Sequence, residues 1–174
     1  MTSEGRQAET RTYLLPLALD DAEGNVFCLF SQNQVVEILG PRPIQRIPFS
    51  PSYLRGVVNY FNQLLPVINL DDLCNRKTVS RNEGFRQLMV VRTGAVDPVT
   101  GRPLKAAIIS RTRVHMAKFA DQVLATSFVE QEAPTSLKAS GVLRGFFQRQ
   151  AHYVALLDLH QVVLGTLGDA ASTN

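Results

Sequence analysis

The feature that most constrains the fold of this sequence is a succession of short apolar runs, each closed by turn-forming residues. Runs of this length bounded by Gly, Pro, Asn and Asp are typical of β-strands. They are too short for a membrane-spanning helix, which needs roughly 20 apolar residues. Strands are predicted over 13–19, 26–30, 64–70, 87–92, 104–109 and 153–159. Many strands and few helices predict a mainly-β protein.

Two pairs of these strands are joined by segments with the composition of hairpin loops. The first loop reads DDAEGN at 20–25, and the second contains DPVTG at 97–101. Gly, Pro, Asn and Asp favour turns because they adopt or stabilise the turn backbone. We therefore expect two antiparallel hairpins.

The helices are predicted to be few and short. One covers 51–55 and is capped by Ser50, whose hydroxyl would accept a hydrogen bond from the free backbone N–H groups. A second follows Asn69, with two acidic residues at its positive end. A third covers 160–164 and ends at Gly165.

Composition indicates one globular domain with polar ends. The chain has 174 residues, of which 45% are hydrophobic and 19% charged, so it contains enough apolar material for a core. A single domain of two β subdomains is predicted over 12–167, with disordered ends at 1–11 and 168–174. The polar N-terminal residues contain no apolar signal stretch, which predicts a cytoplasmic protein with Cys28 and Cys74 as reduced, buried thiols.

An internal similarity suggests two related lobes. The sequence LRG at 54–56 recurs at 143–145, which is 89 positions later, and at the same offset the apolar run 66–70 overlies 155–159. Both copies predict a turn, a strand and a short helix in the same order. Chance similarity between common residues is the alternative explanation.

Positive charge is concentrated in one part of the chain. The formal net charge is only +3, but residues 81–118 hold eight basic and two acidic side chains. Arg111, Arg113 and His115 would share one face of a strand as a basic ladder. This stretch is either a solvated face or a surface for an acidic partner, an anionic ligand or nucleic acid. An anionic-ligand or nucleic-acid binding β-barrel protein is therefore the alternative to the function given below.

The sequence contains no motif that predicts catalysis. Its three histidines lack metal-ligand spacing, and no phosphate-binding loop or hydrolase elbow occurs. An enzyme would need a site assembled across loops, for which Cys74, His152 and Asp158 are the candidates. We predict a protein that is not an enzyme and that has no cofactor and no metal.

Four sequence pieces occur in an order that identifies a family. They are VVEI at 35–38, IQRIP at 44–48, PSYLRGVVN at 51–59 and LPVINL at 65–70. In this order they resemble the CheW family, the adaptor proteins of bacterial chemosensory arrays. The resemblance is specific over 26–73 and looser over 86–110 and 141–164.

The resemblance implies a fold and a function. The fold would be two small five-stranded β-barrel subdomains packed around a shared hydrophobic core. The function would be a non-enzymatic adaptor between the cytoplasmic tip of methyl-accepting chemoreceptors and a CheA-type histidine kinase, whose regulatory domain has the same fold. One lobe would dock against the kinase domain, and a groove between the lobes would receive the receptor tip. It implies no nucleic-acid partner and no direct membrane insertion.

The chain departs from the family pattern at two places. Phe61 stands where the family has an arginine that pairs with the strand glutamate, which is Glu37 here. Glu37 would then need another ion partner, for which Arg55 and Arg46 are the candidates. Ser110 and Arg111 stand where family members show an aspartate. Exchanged charges discriminate between partners, so these changes predict a variant adaptor with altered partner choice.

The segment around Pro48 and Pro51 is predicted to form a docking ledge with the short aliphatic strand 64–70 that follows it. The two prolines remove backbone donors, and an edge strand offers unpaired backbone groups to a partner. Phe128, Phe146 and Phe147 are predicted as core residues, with an exposed aromatic pair, Phe146 and Phe147, beside Arg144 as the alternative. The residues predicted to contact partners are Val36, Glu37, Arg46, Leu54, Arg55, Asn59, Phe61, Leu64, Leu65, Arg111, Arg113 and Arg144.

Overall fold

The computed structural model describes residues 10–75, 84–85, 87–119 and 127–165. The strands in these ranges are β1 (Thr10–Leu17), β2 (Asn25–Ser31), β3 (Val35–Leu39), β4 (Leu54–Tyr60), β5 (Gln63–Ile68), β6 (Gln87–Val96), β7 (Pro103–Ser110), β8 (His115–Phe119), β9 (Ser127–Phe128), β10 (Leu143–Arg149) and β11 (His152–Leu157). The helices are α1 (Leu70–Asn75), α2 (Thr135–Ala139) and α3 (His160–Leu164), and a 3-10 helix spans Glu130–Glu132. The prediction of a mainly-β protein with few short helices is confirmed.

Both predicted hairpins form. β1 pairs with β2, and β6 pairs with β7, in antiparallel register. β1 begins at Thr10, two residues before the predicted domain boundary, because its first residues pair with β8. The remainder of the predicted N-terminal segment and the tail 168–174 lie outside the described residues.

The strands form two sheets that face each other across a shared core. The first has the order β8-β1-β2-β11-β10-β9, in which β9 is only two residues long, and the second has the order β3-β6-β7-β5-β4. Large buried side chains from both sheets, including Phe30, Met89, Ile108 and Phe146, form the main hydrophobic cluster together with Leu137 of α2. The shared core between two β subdomains is therefore present.

The expectation of closed barrels is wrong, because the end strands of neither sheet pair with each other. In the five-stranded sheet the end strands β3 and β4 are instead bridged by side chains. The Tyr60 hydroxyl donates a hydrogen bond of 2.8 Å to Glu37. A second apolar cluster, which includes Val58, Leu65 and Val90, packs with Tyr60 on the other face of this sheet from the main core. The sheet is thus curled but not closed.

The internal sequence similarity corresponds to a repeated structural unit. β4, β5 and α1 recur as β10, β11 and α3, and each strand of the second hairpin begins and ends 89 positions after its counterpart. Both hairpins show a register shift at their LRG sequence. The second strand of each unit joins its sheet in parallel, β5 beside β7 and β11 beside β2. The predicted order of apolar strand and short helix thus recurs in both copies, but each LRG begins a strand and does not lie in the predicted turn.

The helices predicted after Asn69 and before Gly165 both form, but the helix predicted over 51–55 does not. α1 follows Asn69 and α3 ends at Gly165, whose φ of 71° is the left-handed conformation that ends a helix. Residues 51–55 are not helical, since Leu54 already begins β4. The Ser50 hydroxyl donates to the carbonyl groups of Ile47 and Leu54 and so ties a turn together rather than capping a helix.

Gly56 brings the irregular segment before β4 onto the edge of that strand. Gln45 and Val57 exchange two backbone hydrogen bonds of 2.8 and 2.9 Å. A Cβ atom on Gly56 would lie 2.2 Å from the Gln45 carbonyl oxygen, and the φ of 141° at Gly56 disfavours any L side chain. The prediction that Gly56 serves a close backbone approach or a positive φ is confirmed on both counts.

We predict that Gly56→Ala destabilises the protein by about 3 kcal/mol or prevents folding, because the clash is with backbone and adds to the strain of positive φ. The free energy of unfolding in urea is the measurement. Gly40→Ala is the matched control, since a Cβ there would meet nothing within 4 Å. Equal stability of the two variants would contradict the prediction.

Candidate partner-binding site

Only part of the predicted docking ledge lies on the surface, because the strand that was expected to form its open edge, β5, lies between β7 and β4 in the sheet. The segment 45–49 is exposed, and a groove of about 600 Å³ runs beside it. Phe49 is fully exposed at the rim. The sequence analysis named the two flanking prolines but missed Phe49, although an aromatic residue inside a Pro-bounded turn was a usable signal.

The turn between β4 and β5 presents a second exposed apolar surface. Phe61 and Asn62 have φ values of 46° and 59°, which is the backbone of a two-residue hairpin turn that matches strand twist. Phe61 is 80% exposed, and Leu64 just beyond the turn is 67% exposed. The edge of the Phe61 ring packs against Tyr60 with the ring centroids 4.8 Å apart. We call Phe61, Asn62 and Leu64 the hairpin tip.

The two exposed phenylalanines share an unfavourable backbone. Phe49 has a φ of 60°, and Phe61 has a φ of 46°. A bulky residue in this region costs about 1 to 2 kcal/mol, which Gly or Asn would avoid. Phe49 is fully exposed, whereas Phe61 offsets part of the cost through its contact with the Tyr60 ring. The combination of strain and exposure makes both residues candidates for binding.

Glu37 pairs with a residue that was not predicted to be its partner. The Tyr60 hydroxyl donates a hydrogen bond to Glu37, while Arg55 binds Asp72. Burial and the hydrogen bond to Glu37 raise the pKa of Tyr60. The Lys105 ammonium lies 5.8 Å from the centre of the Tyr60 ring, within cation–π range. The hairpin tip is therefore anchored from below by Tyr60.

A polar network supports the floor of the groove at the start of α1. Asp72 accepts hydrogen bonds from Asn69 at 3.0 Å and from Arg55 at 3.4 Å. Asp71 accepts a bond from the Ala18 backbone and lies 3.8 Å from the guanidinium of Arg111. These contacts join β1, β4, β7 and α1 at one point.

Asp72 is the strained member of this network. Its side chain is fully buried, and its Oδ1 atom has no hydrogen-bond partner among the described residues. Burial raises the pKa of the carboxyl, while the positive charges of Arg55 and Arg111 oppose that shift.

A smaller cleft of about 190 Å³ lies between the two sheets. One wall is the end of β1, residues 15–18, and the other is the chain around Arg111 at the end of β7. Asp71 lines it between them. The resemblance predicts a groove between the lobes, and this cleft is the candidate for it. It adjoins the groove beside Phe49, because Asn69, Ile109 and Arg111 line both.

The predicted basic ladder is wrong. β7 ends at Ser110 and β8 begins at His115, so residues 111–114 form an irregular connection and not a strand face. The Ser110 hydroxyl donates to the Thr112 carbonyl, which turns the chain there. Arg102, another residue of the basic stretch, lies at the opposite end of β7, about 25 Å away along the strand.

The remaining predicted contact residues divide by burial. Arg46, Asn59, Arg113 and Arg144 are exposed, and Val36 and Leu54 are half-buried. Leu65 differs from the prediction, because it is only 4% exposed and packs in the second apolar cluster. Arg144 does not stand beside an exposed aromatic pair: it binds Asp158 at 2.8 Å, and Phe146 is buried. Phe147 is only half-buried, and the prediction that Phe128 belongs to the core is wrong, because its side chain is 58% exposed and contacts the Phe147 ring at the end of the sheet.

The candidates for a hidden catalytic site have other roles. Cys28 and Cys74 are free and buried, and burial raises the pKa of Cys74 to about 12, so its thiol is protonated at neutral pH. Asp158 binds Arg144 and accepts a bond from the His160 backbone N–H. Among the described residues no group of His, Cys, Asp and Glu could hold a metal ion, and no helix there is long and apolar enough to cross a membrane.

We predict opposite outcomes for two neighbouring leucines. Leu65→Ala should lower the free energy of unfolding by about 2 to 5 kcal/mol, because it leaves a cavity in the second apolar cluster. Leu64→Ala should change it by less than about 0.5 kcal/mol, since that side chain is exposed. Urea denaturation measures both, and a large loss for Leu64→Ala would place Leu64 in the core.

We predict a pH-dependent stability difference between wild type and Asp72→Asn. The native pKa of Asp72 is raised above 3.8, so the wild type loses stability relative to the variant as pH rises from 3.8 through the native value. Asp97→Asn is the control of opposite sign. Backbone hydrogen bonds lower the pKa of Asp97, so its contribution is lost as pH falls below 3.8. Unfolding in urea at a series of pH values tests both signs, and a flat difference for Asp72→Asn would contradict the first.

Known proteins share this architecture. The fold is similar to that of the crystal structure of the scaffolding protein TtCheW from Thermoanaerobacter tengcongensis, with a TM-score of 0.61. The two chains are 15% identical, and the match covers 93% of this chain and 92% of that one, so the likeness concerns the fold. No curated protein sequence matches the chain. The family model of the CheW-like domain matches residues 21–165. The chain therefore belongs to the CheW-like domain family.

Proposed function

We propose that this protein is a non-enzymatic adaptor that couples chemoreceptors to a CheA-type histidine kinase in a bacterial chemosensory system. Membership of the CheW-like domain family and a fold similar to that of a scaffolding protein support this role. An adaptor needs separate surfaces for its partners. The observation that carries the proposal is the hairpin tip, where Phe61 and Leu64 are exposed at a distance from both grooves.

The hairpin tip is the surface that we assign to the regulatory domain of the kinase. Exposed aromatic and aliphatic side chains on a rigid turn lose little conformational freedom when they bind, and such residues dominate interface energies. Phe61 is held by Tyr60, which is itself fixed by Glu37. The arginine of the family pattern is absent at this position, so the tip offers an apolar contact in place of a charged one.

The cleft between the sheets is the surface that we assign to the cytoplasmic tip of the receptor. Its walls come from both lobes, and the network of Asp71 and Arg111 holds them in a fixed arrangement. Arg111 stands where family members show an aspartate. Its positive charge at this cleft favours a receptor tip with acidic residues at the contact.

We predict that Phe61→Asp lowers affinity for the kinase regulatory domain at least tenfold and leaves the fold intact. An exposed apolar anchor is lost, while Asp tolerates the left-handed backbone better than Phe. Isothermal titration against the kinase domain from the same organism measures affinity, and thermal unfolding measures stability. Val99→Asp is the matched control, because Val99 is also an exposed apolar residue on a hairpin loop.

Two results would oppose the proposal in different ways. Loss of the folded state in Phe61→Asp would assign Phe61 to the core. If the wild-type protein bound neither the kinase domain nor the receptor tip, the adaptor function itself would be wrong.

A further inference from the structure

The hairpin tip and the inter-sheet cleft have been assigned to the kinase and the receptor, and the groove beside Phe49 is a further surface without an assigned ligand. It is bounded by the segment 44–55 and by the end of β7. It lies where β4 begins, whereas the hairpin tip lies where β4 ends, about 20 Å away along the strand. A ligand of modest size in the groove would therefore not touch the hairpin tip.

The charge of the groove is of one sign. Arg46, Arg55 and Arg111 line it, and none of its described lining residues is a carboxylate. Asp71 and Asp72 contact two of these arginines but are not part of the lining. A guanidinium has five N–H donors, and the contact between Arg55 and Asp72 uses one Nη1 atom. Contacts with Asp72 and Asp71 thus hold Arg55 and Arg111 in place beside the groove.

The other half of the lining is apolar. Ile47, Phe49 and Ile109 contribute to it, and the first two are exposed in the free protein. The two flanking prolines restrict the backbone of the segment, so the apolar rim is preorganised. Phe49 also has the strained φ of 60°, which folding alone does not require.

We infer that this groove binds an acidic segment of a partner protein, in which carboxylate side chains flank an apolar one. The arginines match the carboxylates in bidentate geometry, and the apolar rim matches the side chain between them. The choice of a protein segment as the occupant rests on the proposed adaptor function. A nucleic acid is a poorer match, because the basic residues here alternate with prolines and aliphatic side chains and Arg102 of the basic stretch lies at the far end of β7.

Selection from a random library of twelve-residue peptides displayed on phage tests the inference without a known partner. We expect the peptides enriched on the folded protein to carry at least two acidic residues next to an aliphatic or aromatic residue. The best peptide, labelled with fluorescein, is then titrated by fluorescence anisotropy. Its affinity should fall at least tenfold in Arg46→Glu and in Phe49→Ser, and it should weaken as salt rises.

Matched variants place the peptide in the groove. Arg102→Glu makes the same charge change on an exposed residue at the far end of β7, and Val99→Ser removes an exposed apolar side chain. Both should bind the peptide within twofold of wild type. Equal weakening in Arg46→Glu and Arg102→Glu would overturn the inference, because it would show attraction by net charge alone. Enrichment of peptides without acidic residues would overturn it as well.

Three further outcomes separate this inference from other occupants and from the adaptor function. Displacement of the peptide by a mixed single-stranded oligonucleotide would favour nucleic acid and overturn it. A dimer in sedimentation that Arg46→Glu dissociates would favour a second copy of the chain and overturn it. Peptide binding that Phe61→Asp leaves intact, in a protein that binds neither kinase domain nor receptor tip, would support the groove while refuting the proposed adaptor role.

Discussion

The close backbone approach of Gln45 to Gly56 and Val57 is the constraint on which the groove beside Phe49 depends. Two hydrogen bonds between Gln45 and Val57 tie the irregular segment 44–53 to the outer edge of β4, and only a residue without a Cβ atom at position 56 permits that approach. Prolines within the segment stop the pairing from continuing as a regular strand. One contact thus covers part of a sheet edge and positions the wall of the groove beside Phe49.

The two copies of the repeated unit share their strands and differ at their turns. In both copies the arginine of LRG binds a carboxylate near the following helix, Arg55 to Asp72 within α1 and Arg144 to Asp158 before α3. The two carboxylates are not counterparts, because position 158 corresponds to Asn69 at the offset of 89 residues. The exposed Phe61 of the first turn corresponds to Gln150 of the second, and both have positive φ. The hairpin tip that we propose for binding thus lies where the copies diverge.

Most strands, both hairpins and two of the three predicted helices could be predicted from the sequence, because period, turn composition and caps are local signals. The helix over 51–55 failed because Ser50 bonds to the carbonyl groups of the turn rather than to free N–H groups. The prediction of a basic ladder was wrong because β7 ends at Ser110, so Arg111 and Arg113 do not lie on a strand. Burial of Leu65 beside exposed Leu64 follows from the register of β5, which local composition does not encode. Only tertiary structure could reveal that Tyr60 replaces an arginine as the partner of Glu37.

Exposure near both ends of β4 is the physical reason to regard this strand as a spacer between the two surfaces that we propose for binding. Phe49 and Phe61 stand near opposite ends of the strand, and each occupies a left-handed backbone while its ring is largely exposed. At Phe61 the two-residue turn itself requires the positive φ, and the contact with the Tyr60 ring offsets part of its cost. β4 is fixed by an antiparallel ladder to β5, with a register shift at its first residues, and by Tyr60 to β3. Under the proposed adaptor function, partners bound at the two ends would be held about 20 Å apart and would contact different residues.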